Sequence, residues 1–274
     1  MRAPDSIDVL ELFSEDRAAL LGLLTGLDDS QWERPTTCAG WSVKDVAIHI
    51  LGGDVSNLSR RRDGYAGEYL AAGEDLVAFI NRLNDTWMQA ARRLSPRLVC
   101  ELLAMVGPLL FAYFASLDLL ALGGRVSWAG PAPAPVWLDV AREYTERWHH
   151  QQHVRDAVGQ PGQTEPRFLH PVLATFAYAL PVALRDTDTP TGTIAHLHVE
   201  GPAGGDWSVV REPNGWQLYL GAPAVSTARV ELDQVRAWRL YTKGITPDEA
   251  QAAATFTGDH HLGRKLLEAV AIIA

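Results

Sequence analysis

The hydrophobic period of this chain changes near residue 161, and that change limits the fold more than any other feature. Before it, apolar residues recur at helical spacing over 7–27, 43–62, 74–94, 96–122 and 136–158. After a connecting helix over 170–186, the pattern alternates. Thr193, Ala195, Leu197 and Val199 share one face while Ile194, His196 and His198 share the other, the period of a strand. Further strands are expected at 207–211, 216–220 and 225–232, separated by Gly-Gly, Pro-Asn-Gly and Gly-Ala-Pro turns, so an antiparallel meander is the natural reading. Capping signals at Thr246-Pro247-Glu249 and Gly258-Asp259 predict two closing helices, the second running to Ile273. A helical half followed by strands and helices predicts an α domain over 1–165 and a small α+β domain over 166–274.

Composition excludes several function classes. Hydrophobic residues at 47% and charged residues at 21% describe a globular chain rather than a disordered or fibrous one. With 24 Lys and Arg against 33 Asp and Glu, the net charge of -9 gives no basic footprint for nucleic acid or an anionic membrane, and small polar substrates suit it better. Cys38 and Cys100 make neither a disulfide framework nor a CxxC site, which fits the cytoplasm. The acidic start, with Asp5, Asp8, Glu11, Glu15 and Asp16, lacks the basic-then-apolar order of a signal peptide. The apolar run 102–117 is interrupted by Gly107-Pro108 and reads as a buried core helix, kinked or broken at Pro108. None of these features sets an oligomeric state.

Metal-ligand chemistry is dense in one place, Tyr144 to Asp156, where a carboxylate and three imidazoles fall on one helix closed by Gly159 and Pro161. Glu146 and His150 are spaced to stand one above the other, and so are His149 and His153. Val136, Val140, Tyr144, Trp148, Val154 and Val158 mark the core face; Arg142, Thr145, His149 and Gln152 point the opposite way, with Glu146 and His150 on the stripe between. By itself the Glu146–His150 step is an ordinary surface pair. Earlier, Ser42 and Asp45 form a capping box that starts a helix, with His49 about two turns in. The column of His49 holds Asp45, Gly52, Gly53, Ser56 and Arg60, which leaves room for a ligand above the imidazole. Taken alone, this stretch reads as a boundary histidine on a helix weakened by two glycines.

The combination carries more. Thr36-Thr37-Cys38-Ala39-Gly40-Trp41-Ser42-Val43-Lys44-Asp45-Val46-Ala47-Ile48-His49, followed much later by Glu146-Arg147-Trp148-His149-His150, resembles the mycothiol-dependent maleylpyruvate isomerase family, within the DinB-like group of metal-binding four-helix bundles. The C-terminal half, from the Gly192–Gly201 stretch through Trp207, Trp216, Arg239-Leu240 and Gly258-Asp259, is similar to that family's sterol-carrier-like α+β domain. The resemblance implies a divalent metal, zinc above all, held by His49, Glu146 and His150. It also implies mycothiol as thiol cosubstrate and a small electrophilic, acidic substrate for isomerisation or S-transfer. His153 is expected behind the ligands or in solvent, and His149 in solvent. Arg60 and Arg239 are the candidate cations for substrate carboxylates, and Trp41 and Trp128 candidate pocket walls. Cys38 reads as a small buried residue, and His196 and His198 as an exposed strand face. The alternative, from another class, is a non-enzymatic binder of a metal or small ligand.

Overall fold

Helix starts in this chain are set by short polar side chains that accept orphan amides. In the computed structural model, which describes residues 1–65, 67 and 70–272, Ser42, Asp75, Ser95 and Thr246 each accept from the backbone N–H three residues on. At Ser42 and Thr246 the later acid reciprocates, as their spacing predicts. The chain divides into two compact units, one of Val9–Asp118 with Glu143–Gly162, the other of Met1–Asp8, Leu119–Arg142 and the chain from Gln163 onward.

The first unit is helical. α1 (Leu10–Thr25), a short α2 (Asp29–Trp32), α3 (Val43–Ser56), α4 (Leu76–Ala91) and α5 (Pro96–Ala115) precede α6 (Val136–Val158), whose residues from Glu143 on belong here. α1 and α3 both pack on α5. Phe13 of α1 meets Tyr144 of α6 edge-on at 5.8 Å, which closes a four-helix arrangement. α4 is tied to α3 by Trp87 Nε1, which donates to the Ile48 carbonyl at 2.8 Å, and by Arg92 Nε, which donates to Asp45 at 2.9 Å. The expected end of the His49 helix at Arg62 holds, but its last six residues, Asn57–Arg62, form a wide π turn.

Of the kink or break expected at Pro108, α5 excludes the break: it is one helix with proline inside it. Val99, Leu103, Val106, Leu110 and Phe114 bury one side, while Leu98, Met105 and Leu109 are exposed. By length and composition alone, α5 is apolar enough to cross a membrane.

The second unit holds α7 (Pro166–Phe176), a 3-10 turn (Ala177–Ala179), α8 (Leu180–Ala183), and strands β1 (Ile194–Glu200), β2 (Gly205–Glu212), β3 (Gly215–Leu220) and β4 (Ala228–Asp233). α9 (Gln234–Tyr241), α10 (Pro247–Ala253), β5 (Thr255–Gly258) and α11 (His260–Leu266) follow. The sheet order is β3-β2-β1-β4-β5. β1, β2 and β3 form the expected antiparallel meander, but β4 joins the free edge of β1 in parallel, so the sheet is mixed. The whole β2–β3 hairpin serves as the crossover between those parallel neighbours. α9 and α11 pack on β1 and β4, over Ala195, Leu197, Val199, Val230 and Leu232, all buried. The expected end of the last helix, at Ile273, lies outside the described residues.

Candidate metal centre

Two imidazoles from two helices of the helical unit converge on one carboxylate oxygen. His49 Nε2 from α3 and His150 Nε2 from α6 each lie 3.2 Å from Glu146 Oε1. The donor atoms of all three fall within 4.8 Å of one another. Two ligands on a tetrahedral zinc are separated by about 3.3 Å when the bonds are 2.0–2.1 Å. The residues present therefore fit a small divalent cation in both donor type and spacing. The His49 and His150 rings are edge-on at 4.6 Å, and Trp41 covers both, 4.8 Å from His49 and stacked at 6.3 Å from His150. The carboxylate is the open side: the Glu146 side chain is 40% exposed and that of His49 14%.

A buried ionic network sets the rotation of α6 that aims Glu146. Arg147, the next residue, donates from Nε to Asp54 Oδ1 of α3 at 2.9 Å and from Nη1 to Glu143 Oε2 at 2.8 Å. Arg17 of α1 donates to the other Asp54 oxygen, and Asn57 Nδ2 to Glu143 at 2.9 Å. Each buried charge is thus paired within the network, the condition for keeping ions out of water.

Electrostatics favour ligands in their binding forms. Burial works against ionisation of Glu146, but the His150 and His49 imidazoles beside it outweigh burial and hold its carboxyl well below the usual range. Burial, with His149 alongside, pulls His150 down to about 3 although Glu146 opposes it, so the imidazole stays neutral. Burial pushes the Cys38 thiol up to about 11.

Several expectations about the surroundings need correction. The supposed solvent face of α6 is buried: Thr145, His149 and Gln152 are at most 3% exposed. These polar groups are satisfied by the helix itself, His149 Nδ1 donating to the Thr145 carbonyl at 2.9 Å and Gln152 Nε2 to that of Trp148 at 3.2 Å. His153 is buried too, which removes solvent from the two places expected for it and leaves the one behind the ligands. Cys38 is half-buried but not inert packing, because its Sγ is 3.0 Å from His153 Nδ1. The space above Gly52 is not free for a ligand: a Cβ there would lie 2.6 Å from Trp87 Nε1.

Of the candidate cations, Arg60 sits on the exposed π turn with its guanidinium 5.6 Å from the Phe79 ring centroid. Arg239 lies on α9 in the other unit, 4.5 Å from the Trp238 centroid. Trp128 packs on Phe176 at 6.3 Å, also in that unit. His196 is buried at 1%, whereas His198 and Asp206 remain about one-third exposed; both His196 Nε2 and His198 Nδ1 donate to Asp206 Oδ1, at 2.8 and 2.9 Å, so the expectation of an exposed face fails at His196 alone.

Against known families, residues 13–155 match the model described as the mycothiol maleylpyruvate isomerase N-terminal domain. The chain belongs to this family. The match spans both helices that supply the three donors. Two solved structures, the mycothiol-dependent maleylpyruvate isomerase and a His-to-Ala mutant of it, each superpose with a TM-score of 0.53 at 12% identity, covering 88% of this chain and 91% of theirs. At that identity the likeness establishes a shared fold, a helical N-terminal region followed by a sheet with helices. No curated protein sequence matches.

Proposed function

We propose that this maleylpyruvate isomerase family member is a metal-dependent enzyme that uses a low-molecular-weight thiol, mycothiol, for isomerisation of, or S-transfer to, a small, acidic electrophile of the maleylpyruvate type. The observation that carries the reading is the convergence of His49 Nε2 and His150 Nε2 on Glu146 Oε1, each at 3.2 Å, in a chain of this family. In this reading His49, Glu146 and His150 hold a divalent ion. Zinc is favoured by two imidazoles and a carboxylate, and three protein ligands leave a coordination position open. A divalent cation held by these residues would supply Lewis acidity, which would lower the pKa of a thiol so that thiolate is available at neutral pH.

The chain's own residues supply the rest. Glu146 remains anionic and offsets cation charge, His150 keeps a neutral ring, and Trp41 shields both imidazole faces from water. The thiol sulfur adds to the electron-poor alkene carbon and the alkene pair moves onto the conjugated carbonyl. The former double bond rotates as a single bond, and expulsion of the sulfur restores it in the trans form with the thiol regenerated. Arg60, in the same unit as the three donors, is the proposed carboxylate partner, since a guanidinium grips a carboxylate with two parallel N–H donors. A cytoplasmic site of action accords with Cys38 and Cys100 being free thiols.

The test is to incubate the metal-loaded protein with mycothiol and maleylpyruvate, alongside a panel of other unsaturated acids, and read isomers and thiol adducts by mass spectrometry. Turnover is expected in the parent, with a loss beyond roughly 100-fold in Glu146→Gln, since disturbing only a ligand's outer partner already costs 10–100-fold. A metal-loaded parent that converts nothing in the panel and forms no adduct contradicts the proposal.

A further inference from the structure

His150 faces two clusters, one with each ring nitrogen. Its Nε2 belongs to the group with His49 and Glu146, while its Nδ1 lies 3.4 Å from His153 Nδ1. His153 Nδ1 is in turn 3.0 Å from Cys38 Sγ. Cys38, His150 and His153 thus offer one donor atom each within 4.8 Å of one another. The two histidines are both 7% exposed and the cysteine is half-buried.

Two of these contacts fall on a single ring nitrogen. His153 Nδ1 has one in-plane position, for either a proton or a lone pair, and two groups crowd it, a thiol and an imidazole nitrogen. Three lone pairs directed at one cation are satisfied together. The spacing agrees: two nitrogens on a tetrahedral zinc stand about 3.3 Å apart, against 3.4 Å here, and nitrogen and sulfur about 3.5 Å. The observed sulfur–nitrogen distance of 3.0 Å is shorter by an amount that a small χ1 rotation of Cys38 supplies.

Cys38 is held for such a role by its loop. Thr36 N–H donates to the Trp41 carbonyl at 2.9 Å and Trp41 N–H to the Cys38 carbonyl at 3.0 Å. Thr36 Oγ1 also donates to the Trp41 carbonyl at 2.9 Å and accepts from the Cys38 N–H at 3.2 Å. The turn needs φ of 77° at residue 40, a conformation that Gly40 supplies without strain. A sulfur fixed on a hydrogen-bonded turn, opposite two imidazoles on one face of a helix, is a preorganised ligand set.

We propose that Cys38 Sγ, His153 Nδ1 and His150 Nδ1 form a second metal site, for a thiophilic divalent cation such as zinc, which shares the His150 ring with the His49–Glu146–His150 group. One thiolate and two imidazoles suit borderline-soft ions over magnesium or calcium. Filling the site releases the Cys38 thiol proton, and with both sites filled His150 also gives up its Nδ1 proton and bridges as an imidazolate. The second site stands on its own three donors; only the bridge rests on the function proposed above.

The probe is Co2+ titrated anaerobically into chelator-treated full-length protein, followed by absorbance and by metal per chain. The parent takes two equivalents and develops a near-ultraviolet thiolate-to-cobalt charge-transfer band. Cys38→Ser loses the band and one equivalent, His153→Gln weakens the band as an independent variant, and Cys100→Ser changes neither. A parent that shows no thiolate band, or keeps its band in Cys38→Ser, overturns the second site, whereas a single equivalent that carries the band contradicts the first site alone. His49→Ala separates the two readings: loss of one equivalent with the band retained supports both. Two equivalents unaffected by His49→Ala contradict the first site alone.

Discussion

Asp54 is fully buried between two guanidinium groups, from Arg17 and Arg147, so removing it leaves two buried cations short of a partner. Asp54→Ala is expected to destabilise the protein by about 3–5 kcal/mol, as breaking one side of a buried ion pair does; denaturant unfolding measures it. Gly52 illustrates competing terms. Alanine gains about 1 kcal/mol of helix propensity, but its Cβ would sit 2.6 Å from Trp87 Nε1. Overpacking costs about 1–3 kcal/mol and losing the Trp87–Ile48 hydrogen bond about 1 more. Gly52→Ala should therefore be destabilising by about 1–3 kcal/mol, with a shift in tryptophan fluorescence. The glycine was legible as an absence of bulk, but what fills that absence comes from α4, which no local pattern announces. Asp16 gives a pH signature. Burial pushes its carboxyl up to about 7 although Arg17 and Arg147 pull the other way. An unfolded aspartate titrates near about 4, so the folded chain holds this proton more tightly between those values. This contribution to stability is present at low pH and is lost as pH rises from about 4 to about 7, with a slope approaching 1.4 kcal/mol per unit. Asp16→Asn should flatten that slope in unfolding measured across pH; an unchanged slope would contradict the assignment.

Among elements, α5 tests how far packing overrides local preference. Pro108 is exposed in the middle of a continuous helix, where it withholds a hydrogen bond from residue 104 and favours a break. Five buried side chains on one face, from Val99 to Phe114, hold the helix through it. Pro108→Ala should raise the unfolding free energy by about 1–3 kcal/mol; a lower melting temperature would show that the proline shapes α5 instead. α6 shows the limit of sorting residues by helix face. Its ends were readable from Gly159 and Pro161, and Glu146 and His150 did emerge beside His49. The opposite face was misassigned because sorting assumes that polar residues seek water, whereas His149 and Gln152 bond to carbonyls of their own helix. α9 went unread because eight residues carry little periodicity, although Asp233, whose side chain accepts from Val235 and Arg236 N–H, was a usable start signal. The parallel β1–β4 pairing is a relation between distant segments and leaves no trace in either strand alone.

For the molecule as a whole, a helical N-terminal region precedes a mixed five-stranded sheet with helices. The family match and the two superposing structures agree with that order. All the donors of both candidate sites, Cys38, His49, Glu146, His150 and His153, lie within the helical unit, so metal content reports on that unit without reference to any substrate. The account rests on His49, Glu146 and His150 being metal ligands. The most direct test is elemental analysis of protein purified without added metal or chelator, with His49→Ala, Glu146→Gln and His150→Ala prepared in parallel and checked for retained helicity. Bound divalent metal in the parent, reduced in each variant and most of all in His150→Ala, is the predicted result; a folded parent that carries none and takes up none on addition of zinc would contradict the account.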